Sequence, residues 1–216
     1  GDWTWRYRLW KHFRDVGADV DLVGPDEDLA GPPPGVRNLD YADPDFDRDH
    51  AGRWGKAFTS PDWPVDRLVA AYHPDVVVEL LGVNDALWSG ATAEQLLEDA
   101  EQFVADARTA DPDVDIVLGG LPQRWETAVA AYDDRLDALA ERLDTARSRV
   151  IVARAPEVFV QEVDTYDAVQ EASYPRLCAA IARSWDLNQR IDSGTNPPAV
   201  QAILSMTWRS ELKVEE

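Results

Sequence analysis

The chain has 216 residues, 45% of them hydrophobic, enough to bury a sizeable core in one domain or one domain with an appendage. Its formal net charge of -20 sets up a negative potential that repels phosphate backbones and anionic headgroups, which argues against nucleic acid and membrane surfaces as partners. No run approaches the roughly 18 apolar residues of a membrane span, and Gly1 to Trp10 lack the charged start and apolar middle of a signal peptide.

The chain therefore reads as soluble. A secreted origin, with a signal peptide outside these residues, is one expectation; the compartment and the oligomeric state stay open. Cys178 is the one cysteine, so neither an internal disulfide nor a cysteine-built metal site is expected.

Trp5, Leu9, His12 and Phe13 recur at helical spacing, so Trp3 to Arg14 reads as an amphipathic helix ended by Gly17. Val20 to Val23 follows as a short strand. From Gly24 to Pro64 the chain is dense in Pro, Gly and Asp with little periodicity, which predicts long ordered loops and no second core. Val76 to Gly82 is a continuous apolar run apart from Glu79, fitting a strand buried on both faces of a parallel sheet. Thr92 to Ala110 reads as a helix, Val114 to Leu118 as a strand, Trp125 to Arg147 as a helix, Val150 to Ala153 as a strand and Tyr174 to Trp185 as a closing helix. Strand and helix alternate throughout, which implies a parallel sheet between helices. Such sheets bind ligands beyond the carboxyl ends of their strands, so the residues just after each strand are the candidates for function.

After the buried strand comes Gly82-Val83-Asn84-Asp85. Taken alone it is turn chemistry, an Asx turn before a helix, although an asparagine amide at a strand's end can also donate to a developing oxyanion. Its context adds meaning. His73-Pro74-Asp75-Val76-Val77-Val78-Glu79-Leu80-Leu81-Gly82-Val83-Asn84-Asp85 resembles the third block of the SGNH (GDSL-type) hydrolases. Val20-Asp21-Leu22-Val23-Gly24 with Asp49-His50-Ala51-Gly52-Arg53-Trp54-Gly55 is similar to the second strand and second block of that family's acetylxylan-esterase-like carbohydrate esterase branch. Asp164-Thr165-Tyr166-Asp167-Ala168-Val169-Gln170-Glu171 stands where the family carries its D-x-x-H block.

The resemblance spans roughly residues 1–185. It implies a flavodoxin-like three-layer α/β/α sandwich over residues 1–190, with residues 191–216 as a C-terminal tail. It also implies hydrolysis of carboxylic esters, often carbohydrate acetyl esters, by serine acyl transfer without a cofactor or metal. Asn84 and the Gly55 N–H would be the oxyanion donors and Asp167 the acid of the triad.

Two departures bear on activity. The G-D-S block expected before Gly1-Asp2-Trp3 is absent, and the histidine position of the D-x-x-H block is Gln170, followed by Glu171 where proline is usual. Glutamine cannot accept and return a proton near neutral pH. A non-catalytic protein that keeps the cleft to bind a small molecule or glycan is therefore the alternative. Of the other histidines, His12 and His73 read as structural or surface residues. His50 is placed to line the site, although loop capping or surface exposure is the commoner role. In the family's strand order the missing first strand lies between the second and third, and Ala199 to Met206 is the one apolar run left to fill that place, as in a circular permutation. Thr207-Trp208-Arg209 then stand where G-D-S would. An edge strand, or the stub of a further domain, is the competing reading.

Among nine tryptophans, Trp54, Trp63, Trp88 and Trp125 fall in or beside the expected mouth, which tilts the ligand toward a polyol or glycan, with Trp54 and Trp88 as candidate contacts alongside Gln170 and His50. The acidic positions Asp26, Glu27, Asp28, Asp43, Asp45, Asp47 and Asp49 lack calcium-loop spacing and read as a solvated acidic loop.

Overall fold

The computed structural model describes residues 5–28, 43–53, 55–154 and 200–206. In chain order the elements are α1 (Trp5–Asp15), β1 (Val20–Val23), α2 (Val65–Tyr72), β2 (Val76–Leu80), α3 (Val83–Ser89), α4 (Ala93–Ala110), β3 (Asp115–Gly119), α5 (Thr127–Leu143), β4 (Val150–Ala153) and β5 (Val200–Met206). The five strands form one parallel sheet in the order β1-β5-β2-β3-β4. Among the described residues no helix is long and apolar enough to cross a membrane.

β5 lies between β1 and β2, with Val20 opposite Val200 on one side and Val76 opposite Ala202 on the other. β1 and β2 do not pair with each other directly, so this late segment supplies hydrogen-bond partners to two strands that would otherwise carry buried, unpaired edges. It takes the sheet's interior position and is not an edge strand.

Alternation along β2 divides its side chains between two cores. Val77 joins Ile116 and Leu118 against α2, α4 and α5. Val76, Val78 and Leu80 join Val117 and Ala153 against Leu9, Trp10 and Phe13 of α1. Helices therefore cover both faces, the three-layer α/β/α arrangement that the alternating pattern predicted. α4 starts at a capping box, Gln95 N donating to Thr92 Oγ1 (3.3 Å) and Thr92 N donating to Gln95 Oε1 (2.9 Å), and buries Leu96, Leu97, Ala100, Val104 and Ala107 along one stripe. α2 buries Val65, Leu68 and Val69 and packs on α4. Neither α2 nor α3 was anticipated from the sequence. The helix expected at Tyr174 to Trp185 lies outside the described residues.

Candidate functional site

The carboxyl end of β2 is shaped by Gly82, whose φ of 111° is a conformation that side chains resist. It lets the chain turn from a central strand directly into α3, so that Val83, Asn84 and Asp85 all fall buried in the helix's first turn. Asn84 is 1% exposed, and its Nδ2 donates to the carbonyl of Lys56 at 2.8 Å. One of the two amide hydrogens is thereby used and the other is available to a second acceptor. Its Oδ1 has no hydrogen-bond partner among the described residues.

The carbonyl that holds Asn84 follows Gly55 in the chain, so the two expected oxyanion donors are brought to one corner. Gly55 has φ 77°, and a Cβ there would meet the Trp88 ring at 3.0 Å. Glycine is thus required twice over, by backbone conformation and by the tryptophan lying against it. Asp85 locks the same loop to α3. Its carboxylate accepts from Phe58 N (3.0 Å), Thr59 N (3.4 Å) and Thr59 Oγ1 (3.2 Å). Lys56 is itself buried, donates to the Trp63 carbonyl at 3.1 Å, and is lowered to about 8 chiefly by burial. A cavity of about 120 Å³ opens beside it, walled by Phe58, Trp63, Leu68, Leu81 and Phe103; Asn84 and Gly55 do not line this cavity.

His50 stands inside the loop and does not face solvent. It is 2% exposed, its Nε2 lies 2.9 Å from the Asp28 carbonyl, and its Nδ1 accepts from Gly52 N at 3.0 Å. Both ring nitrogens are engaged with backbone. Burial first, and the nearby Arg6 charge second, lower its pKa to about 3, so the ring is neutral. The acidic stretch is also less solvated than its composition implied. Asp28 is buried beside His50 and Arg6, and Asp47 accepts from Leu22 N and is raised to about 6 by burial.

Trp88 is 47% exposed and Trp125 is also exposed. Trp63 is partly buried, with the Arg53 guanidinium 3.5 Å over its ring. His73 is the left-handed residue that ends α2, which is the structural role expected of it. Trp54, Asp167 and Gln170 lie outside the described residues. Asp85, Lys56 and Glu79 were not singled out as site residues. Only the interruption of an apolar strand by Glu79 gave a sequence signal.

No family model matches the chain. An L-fucokinase/L-fucose-1-P guanylyltransferase of Bacteroides fragilis is 36% identical over 50 residues, which is 23% of this chain and 5% of that protein's length. Among solved structures, a carbohydrate esterase family 3 protein from Talaromyces cellulolyticus aligns with a TM-score of 0.73 at 22% identity, over 89% of this chain and 93% of that one. A serine-to-alanine variant of an acetyl esterase, solved with acetate ion, gives the same TM-score, identity and coverage. A family 3 carbohydrate esterase from Clostridium thermocellum aligns at 0.67 and 18% identity, over 88% and 89% of the two chains. The fold is the one these structures share. At such identities the likeness extends to the three-layer α/β/α architecture and carries no residue roles with it.

Proposed function

We propose that this chain is an SGNH-type domain that recognises carboxylic esters, with acetyl esters of carbohydrates as the favoured class. The observation that carries the reading is the corner at the end of β2, where the Asn84 amide is fixed by the Lys56 carbonyl, one residue from Gly55. Two N–H donors, one on the buried Asn84 and one on the partly buried Gly55, can receive the oxygen of an ester carbonyl as it gains charge, and such donors act more strongly the drier their setting. The similar structures are family 3 carbohydrate esterases and an acetyl esterase, which supports the same substrate class.

In this account Asn84 and Gly55 polarise the carbonyl, and Asp167 is the acid whose histidine partner is replaced by Gln170. Acyl transfer needs a nucleophile and a base beyond the oxyanion donors, and a neutral amide at the base position cannot move the proton. Gln170 thus favours a second reading, in which the cleft binds its ester ligand without turnover. Hydrolysis of a short-chain aryl acetate separates the two. If the chain turns over, Asn84→Ala lowers kcat by about 10²- to 10³-fold, the usual effect of removing one oxyanion donor. Absent turnover combined with saturable binding of an acetylated sugar supports the binding reading. Turnover unaffected by Asn84→Ala contradicts the placement of the site.

A further inference from the structure

Glu79 is the one ionisable residue in β2, wholly buried (0% exposed), with Leu118 of β3 and Ser205 of β5 as its register partners. Alternation places its side chain on the face of Val77, toward α5. Its Oε1 accepts the N–H of Leu81, fixing the peptide that leads into Gly82 and Asn84. Its Oε2 has no hydrogen-bond partner among the described residues, and neither has the hydroxyl of Tyr132 on α5. Among the described residues, the titratable groups coupled to this carboxyl are Asp85 of α3 and Tyr132 of α5, with Asp133 next to Tyr132 in the chain and paired to Arg124. None of the groups acting on Glu79 among the described residues is a cation. Burial raises the Glu79 carboxyl well above its ordinary range; the Leu81 N–H opposes the shift and the Asp85 charge adds to it.

Asp85 is the residue that ties the loop of Gly55 and Lys56 to α3. An ionised Glu79 would set a second negative charge into the same dry corner, opposing the Asp85 carboxylate. A neutral Glu79 leaves that clamp unopposed and gains an O–H donor of its own.

We propose that Glu79 is a positioning residue that works as the neutral acid: it fixes the Leu81 peptide and, uncharged, lets the Asp85 clamp hold Asn84 and Gly55 together. Its functional weight rests on the reading of Asn84 as an oxyanion donor, but its test does not require turnover. The whole isotope-labelled chain is titrated by NMR upward from neutral pH. The signal followed is the Asn84 side-chain amide, identified by its loss in Asn84→Asp. Infrared spectra of the same samples report the carbonyl band of a protonated carboxylic acid.

The expected result is such a band in the native chain near neutral pH, lost in Glu79→Gln, together with an Asn84 amide that moves on the alkaline side. Glu79→Gln keeps that amide at its neutral-pH position throughout, while Glu79→Leu, which cannot accept from Leu81, displaces it at every pH. A native chain without the band near neutral pH overturns the proposal, as does a Glu79→Gln variant whose Asn84 amide titrates like the native one. A Glu79→Gln chain that does not fold also overturns it, since glutamine has the shape of the neutral acid. Absence of ester turnover in every variant, the native chain included, counts against catalysis alone and leaves the amide readout standing.

Discussion

The two ends of the sheet treat their buried polar groups differently. At the amino ends of β3 and β4, Ser148 Oγ donates to the Val114 carbonyl and Arg108 reaches Ser148 Oγ (2.9 Å), the Ser148 carbonyl (2.8 Å) and the Leu143 carbonyl (2.8 Å). Asp115 accepts from Arg149 N, closing the corner. Toward the carboxyl ends, Glu79 Oε2, Asn84 Oδ1, Gln123 Oε1 and Tyr132 Oη are buried without a partner among the described residues. Folded proteins tolerate few such atoms, and those that persist call for a reason. Here the satisfied corner ties α4, α5 and the strand starts together. The unsatisfied one lies where open α/β sheets take their ligands.

Acid tests that contrast most severely, because His50 sits in the loop at the carboxyl end. Its folded pKa of about 3 is below the ordinary 6.5, so its contribution is fully present above pH 6.5 and is lost as pH falls toward 3. The slope reaches about 1.4 kcal/mol per pH unit. Asp47, raised to about 6, works in the opposite sense and regains stability as pH falls through that value, offsetting part of the loss. Protection against hydrogen exchange, corrected for the intrinsic slowing of exchange in acid, should therefore fall at Asp26 and His50 before it falls at Ser148 and Val150. Simultaneous loss at both ends would erase the distinction. A smaller effect comes from cutting each end in turn. Arg108→Ala removes three hydrogen bonds, leaving the Leu143 carbonyl stranded while Ser148 keeps Thr145 and Val114, and should cost about 2 kcal/mol in urea unfolding, whereas Tyr132→Phe removes a hydroxyl that has no partner among the described residues and should be neutral or stabilise by up to about 1 kcal/mol. Equal losses in both variants would mean that the two ends are satisfied alike.

Much of this architecture was legible in the sequence because its signals are local or periodic. The apolar runs around Val76 and Val114, each interrupted by a single acid (Glu79, Asp115), identify buried parallel strands, and the stripe from Leu96 to Ala107 identifies α4. The segment 200–206 was readable as a gap-filling strand only by asking which edge pairs lacked a partner. α2 escaped notice although Val65, Leu68 and Val69 have helical spacing, since two turns between prolines give little pattern to work with. α3 escaped because Gly82 to Asp85 reads equally as a turn. At the site, the place of Asn84 at a strand's end followed from order along the chain. Its bond to Lys56 and the grip of Asp85 on Thr59 join residues more than twenty positions apart, and nothing in local composition encodes such a contact. The acidic loop misled for the same reason: Asp28 and Asp47 look like their solvated neighbours until the chain folds them against His50 and Leu22.

The most direct test of carbonyl polarisation by Asn84 and Gly55 is the infrared carbonyl stretch of a bound acetyl ester, compared between the native chain and Asn84→Ala. A stretch lowered on binding to the native chain, and returned most of the way to its free value in Asn84→Ala, is the predicted result. A stretch unchanged on binding, or lowered equally in both proteins, would contradict it.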